Sequence, residues 1–119
     1  MTRREIGDAG ERFAAKLYRK AGYEIAARNY ACRFGEIDII CENAEYIVFA
    51  EVKARELSSA YLPREAVTPQ KQRRIVRSAE HYLMQHPSEK QPRFDVVELR
   101  LQQGRAADWT ILENAFGAW

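Results

Sequence analysis

A chain of 119 residues, 46% apolar and 30% charged, is long enough to bury one core and too short for two, and its composition excludes a disordered or membrane-embedded polymer. The formal net charge of +2 is only mildly basic, so bulk charge does not point to a nucleic-acid partner and only local clusters can. No run of about 18 apolar residues and no N-terminal apolar segment occurs, which predicts a cytoplasmic protein without a membrane span. Cys32 and Cys41 lack the paired spacing of a zinc site and read as two free thiols in a reducing compartment.

Ile6, Gly10, Phe13, Ala14, Leu17, Tyr18 and Ala21 recur at the three-and-four spacing of an amphipathic helix that Gly22 ends, with Arg12, Lys16, Arg19 and Lys20 on its wetter side. Strands are predicted over 23–30, 36–41 and 46–53, separated by turn-prone residues. Residues 54–68 show no clear period and read as a mobile connection, in which Tyr61 and Arg64 are placed to close over a substrate. Thr68-Pro69 is an N-cap followed by proline at the first helical position, opening a helix to Gln85 with a buried stripe of Ile75, Ala79, Tyr82 and Leu83. A polar loop over 88–92, a strand over 94–101, a turn over 102–107 and a short strand over 109–112 complete the chain. The order α-β-β-β-α-β-β predicts one domain over residues 1–119, a mixed α/β layer fold with a sheet flanked by helices.

Charged residues of a reactive kind concentrate in Gly35-Glu36-Ile37-Asp38 and Phe49-Ala50-Glu51-Val52-Lys53. Side chains alternate along a strand, so Glu51 and Lys53 share a face that Val52 does not. The polar Glu42-Asn43-Ala44-Glu45 suits a hairpin turn that brings Asp38 beside Glu51. Two acids and a lysine suit metal-dependent cleavage of a phosphodiester, where Mg²⁺ or Mn²⁺ neutralises developing charge and acidifies an attacking water. Such ions take oxygen ligands, and Mg²⁺ needs only one or two protein carboxylates. Asp38 and Glu51 are the candidate carboxylates and the Val52 carbonyl a further oxygen. Lys53 is the group that orients or deprotonates the water and offsets transition-state charge. Glu11, at the border of the first helix's apolar stripe, can face the sheet and complete the metal shell.

Each of these residues also has a structural reading. Asp38 suits a strand end, Glu51 and Lys53 a same-face ion pair, and Glu11 the acid-favouring start of a helix. Glu36 lines the cleft or pairs with an arginine, outside the metal shell. The second helix carries Lys71, Arg73, Arg74 and Arg77 interleaved with Gln70 and Gln72, either a solvated face or a phosphate-binding one. Lys71 is the member expected nearest the scissile phosphate, with Arg55 and Arg74 as further nucleic-acid contacts. His81 and His86 have no second ligand at metal spacing. Trp109, Phe116 and Trp119 either pack the tail onto the domain or support self-association.

Gly7-x-x-Gly10-Glu11, Gly22-Tyr23, Gly35-Glu36-Ile37-Asp38-Ile39-Ile40, Phe49-x-Glu51-Val52-Lys53-x-Arg55, Glu65-Ala66-Val67, Lys71 and Arg93-Phe94-Asp95-Val96-Val97 together resemble the pattern of the YraN-like family of bacterial proteins, over nearly the whole chain. That family is similar to archaeal Holliday-junction resolvases and to the restriction-endonuclease-like superfamily with its D…(D/E)xK site. The resemblance implies a restriction-endonuclease-like mixed sheet flanked by helices. By position it carries the metal-binding acid onto Asp38, the (D/E)xK pair onto Glu51 and Lys53, and the helix-one acid onto Glu11. It also implies DNA as partner and a homodimer, since a junction presents two symmetry-related strands. The function expected is hydrolysis of DNA phosphodiester bonds, with branched DNA in repair or recombination as the implied substrate. The alternatives are a nucleic-acid-binding module on the same fold with little or no catalysis, and a protein-binding adaptor.

Overall fold

Thr2 caps the first helix, α1 (Arg3–Lys20), which therefore starts before the first residue of the apolar spacing. Thr2 Oγ1 accepts from the Glu5 amide at 3.1 Å and the Glu5 carboxylate accepts from the Thr2 amide at 2.8 Å, a reciprocal capping box that satisfies two otherwise orphaned donors. The computed structural model describes residues 1–58 and 67–117, so Tyr61, Arg64, Glu65, Ala66 and Trp119 lie outside the described residues. After α1 come β1 (Glu24–Cys32), β2 (Gly35–Glu42), β3 (Tyr46–Glu56), α2 (Pro69–Gln85), β4 (Gln91–Gln102) and β5 (Arg105–Phe116), the element order the sequence predicts.

The strands form one mixed sheet in the order β1-β2-β3-β4-β5, antiparallel throughout except for the parallel β3–β4 pair that α2 bridges. All five strands run past the expected bounds at one end or both, β1 to Cys32 and β2 over Gly35–Glu42 among them, and the largest differences arise because pairing overrides local composition. Residues 54–56 belong to β3 rather than to a connection, since Ala54, Arg55 and Glu56 pair with Leu99, Arg100 and Leu101. β4 starts at Gln91, opposite Tyr46. The last turn shrinks to Gln103–Gly104, with φ of 51° and 80°, the signature of a two-residue type I′ hairpin, and β5 grows accordingly to twelve residues.

Each helix covers one face of the sheet. α1 packs Ala9, Ala14, Ala15 and Tyr18 against Ile39, Cys41, Val48, Ala50, Val97 and Leu99. α2 packs Ile75, Ala79 and Tyr82 against Ile37, Ile40, Ile47, Phe49 and Phe94. Gly10 lets α1 approach closely, for a Cβ there would stand 2.6 Å from the Ala54 Cβ. Deep in the α1 layer, fully buried Asp95 receives the Tyr18 hydroxyl at 2.8 Å, two Arg93 nitrogens at 2.9 Å each and the Asn114 amide at 3.0 Å. The Arg93 guanidinium lies 4.8 Å from the Tyr46 ring centroid and 5.5 Å from that of Tyr23, so the buried charge pair is bonded and shielded.

Alternation breaks at one point in β2. Ile37 packs in the α2 layer and Ile39, two residues on, in the α1 layer, where a regular strand would place them together. The break falls on Asp38. Across from it on β1, between the pairs Arg28↔Ile39 and Tyr30↔Ile37, stands Asn29 with φ 53°, a left-handed residue that re-aims its strand.

Candidate functional site

The β2–β3 hairpin closes through Asn43, whose side-chain oxygen accepts from the amides of Glu45 at 2.9 Å and Tyr46 at 2.7 Å. Its ladder runs from Glu42↔Ile47 to Ile39↔Ala50 and ends there, one residue short of Asp38 and Glu51. Asp38 takes over the free main-chain donor: its Oδ2 accepts from the Val52 amide at 2.8 Å. Burial and the Glu51 carboxylate push the Asp38 pKa up to about 8, against the downward pull of the Val52 amide and of Lys71. Two acids thus share a site in which they do not comfortably share a charge.

Glu51 is 5% exposed and held by two ammonium groups, with its Oε1 3.1 Å from Lys53 Nζ and 2.9 Å from Lys71 Nζ. Lys71 is delivered from α2, whose first turn is fixed by the Thr68 hydroxyl accepting from the Lys71 amide at 3.2 Å. Burial, reinforced by Lys71, pulls the Lys53 pKa below its ordinary value, so of the two lysines Lys53 releases its proton first. On the α1 side, burial raises the Glu11 pKa while Arg28 opposes it. Glu11 Oε1 has no hydrogen-bond partner among the described residues and stands 3.8 Å from Arg28 Nη2, and its charge is felt at Asp38.

Asp38, Glu51, Lys71 and Arg74 line one open cleft of about 490 Å³, together with Glu36 and Gln70. Arg55 is not in it. That residue lines a neighbouring, larger hollow of about 720 Å³ with Arg3, Gly7 and Lys53, and its Nη1 donates to the Ala54 carbonyl at 2.8 Å. The larger hollow lacks the paired acids Asp38 and Glu51, which line the smaller one, and Lys53 lines the larger while its Nζ reaches Glu51. Glu98 is a residue that strand pattern does not single out: it is buried on β4 in parallel register with Lys53, hence on the same face. Only the β3–β4 register, set by the crossover through α2, could have identified it.

The family model described as "Uncharacterised protein family UPF0102" matches residues 10–99, a span that holds Glu11, Asp38, Glu51, Lys53, Lys71 and Arg74. The chain belongs to family UPF0102. Among its relatives, a UPF0102 protein of Symbiobacterium thermophilum is 44% identical over 116 residues, which cover 97% of this chain and 98% of that one. One of Caldicellulosiruptor saccharolyticus is 40% identical over 118 residues, covering 98% of this chain and all of its own. One of Clostridium acetobutylicum is 41% identical over 115 residues, covering 95% and 94%. No helix among the described residues of this UPF0102 protein is long and apolar enough to cross a membrane.

Proposed function

We propose that this UPF0102 protein is a metal-dependent nuclease that hydrolyses DNA phosphodiester bonds, with branched DNA as the substrate that its resemblance to resolvases suggests. The observation that carries the reading is the conflict at Asp38 and Glu51: two neighbouring acids that line an open cleft, the pKa of Asp38 raised by burial and by Glu51, with Lys53 Nζ 3.1 Å from Glu51 Oε1. A divalent cation would relieve that conflict and stabilise both carboxylates in their charged forms. Among the described residues no three His, Cys, Asp or Glu side chains gather closely enough to cage a metal. A site of two carboxylates suits Mg²⁺ or Mn²⁺, which keep several waters.

Asp38 and Glu51 would hold the ion, the Val52 carbonyl would add an oxygen, and Glu11, whose Oε1 faces Arg28 without a hydrogen bond, would reach the ion's hydration shell. When bound, the ion supplies charge neutralisation at the phosphate and a more acidic water. Lys53 would orient a water there and, once its ammonium has released its own proton to solvent, which its lowered pKa favours, could serve as the base. Lys71, now on Glu51, and Arg74 on the rim bind the phosphate. A homodimer would present two such clefts to a symmetric junction.

Calorimetric titration of Mn²⁺ into the wild-type protein and Asp38→Asn tests the site without a choice of substrate. Binding in the wild type that the variant loses is the expected result. Lys53→Ala should then abolish cleavage of branched, linear or single-stranded DNA, by 10²-fold or more as is typical on loss of a general base (about 10²–10⁴), with Mn²⁺ binding retained. Equal loss of both would remove Lys53 from its assigned role. A second reading, a nucleic-acid-binding module without catalysis, is favoured by the two ammonium groups that already neutralise Glu51, and absence of Mn²⁺ binding together with retained DNA binding would select it.

A further inference from the structure

The hairpin between β1 and β2 has a two-residue tip, Arg33 and Phe34, because Cys32 pairs with Gly35. The tip rests on the middle of α2, where a Cβ at Gly35 would meet Ser78 Oγ at 3.5 Å and Arg74 Cβ at 3.6 Å. Half-buried Phe34 is flanked by cations from two elements: its ring centroid lies 4.8 Å from the Arg33 guanidinium and 6.0 Å from that of Arg77. Behind it stands His81, whose ring centroid is 6.2 Å away and whose Nδ1 is bonded to the Tyr30 hydroxyl at 2.6 Å. Phe34 therefore has a fixed seat and in turn gathers two arginines.

Arg33, Arg74 and Arg77 are exposed, and among the described residues none of them has a carboxylate at salt-bridge distance. Glu36 lines the cleft with Arg74 and Glu80 a hollow with Arg77, yet neither is ion-paired to these arginines, whose guanidinium groups stay available to a further anion. Lys71, Arg74 and Arg77 advance three residues at a time along α2, roughly 9 Å from first to last at about 1.5 Å per residue. This row begins at the acidic cleft and ends at the Arg33–Phe34 tip. A single small anion would engage only one end of it, whereas a strand of DNA phosphates has the same linear, repeating charge.

We infer that Arg33, Phe34 and Arg77 form a clamp for the backbone of duplex DNA beyond the cleft, with the two arginines on phosphates and Phe34 holding them in place. The inference rests on the nucleic-acid reading of the cleft and adds a length requirement to it. From Asp38 back to Gly35 the strand covers about 10 Å at roughly 3.3 Å per residue, or about three steps of a DNA strand at about 3.4 Å each. The substrate must extend at least that far from the carboxylates to reach the clamp.

The test is fluorescence anisotropy of a labelled duplex with the full chain, without divalent metal, between about 50 and 200 mM salt. The Arg33→Ala/Arg77→Ala double variant should bind more weakly, and its slope of log Kobs against log salt should be shallower by about 1.8, at about 0.9 for each lost phosphate contact. Phe34→Leu, which removes no charge, should weaken binding several-fold with a wild-type slope. Thermal midpoints matching wild type show that the variants fold. Wild-type affinity and slope in the double variant, with binding lost in Lys71→Ala, would overturn the clamp and leave the nuclease reading standing. Failure of the wild type to bind DNA would overturn both, while a clamp effect without any cleavage would uphold the clamp and defeat only the nuclease.

Discussion

The Asp38 carboxyl ties the chemistry of the cleft to the stability of the chain. Its folded pKa, about 8, lies above the unfolded value near 3.8, so between those limits the native state binds the extra proton and unfolding releases it. Stability of the metal-free protein should therefore fall as pH rises through that window and level off above it. Urea unfolding of wild type and Asp38→Asn at about pH 5 and 8 checks the sign: the variant should lose this slope and be the more stable at the higher pH, by on the order of 1–3 kcal/mol. A wild-type slope no steeper than the variant's would mean that Asp38 ionises freely. At this scale the sequence is eloquent about Glu51 and Lys53, because alternation along one strand needs no knowledge of neighbours. It is silent about Lys71 on Glu51, a contact 20 residues away in the chain that exists only after α2 has docked.

Elements aim these residues, and two glycines of α1 separate fit from mere flexibility. Gly10→Ala would place a Cβ 2.6 Å from that of Ala54, an atom that cannot swing away, so α1 must lift from β3. We expect a loss of about 1–3 kcal/mol in chemical unfolding, with weaker Mn²⁺ binding if Glu11 shares the ion. Gly7→Ala meets nothing within 4 Å and should be neutral or stabilising by up to about 1 kcal/mol. Equal effects of the two changes would refute close packing as the reason for Gly10. Thr68→Ala removes the cap of α2 and should lose about 1 kcal/mol. Helix positions were readable here from apolar period, Thr68-Pro69 included, whereas the start of α1 was announced by Thr2-x-x-Glu5, a signal apart from the apolar stripe. Strand ends were less legible, because β3, β4 and β5 run on past their apolar residues wherever a neighbour continues the ladder.

Across the whole molecule, Asp95 joins α1, β4 and β5 through Tyr18, Arg93 and Asn114. Asp95→Ala strands the Arg93 guanidinium, itself 6% exposed, and should cost about 3–5 kcal/mol of unfolding free energy, among the larger losses available to a single change. A loss below about 1 kcal/mol would show that the network is not part of the core. The sequence by itself determined the kind and order of the elements, the buried faces of both helices and the shared face of Glu51 and Lys53, since helical period and strand alternation are local properties of the chain. Only the tertiary structure decided that β2 reverses its facing at Asp38, that the Asp38 carboxylate takes the Val52 amide, that Glu98 lies beside Lys53 and that Phe34 lies between two arginines. Each of these depends on how separate elements dock and in what register, and no local period encodes that.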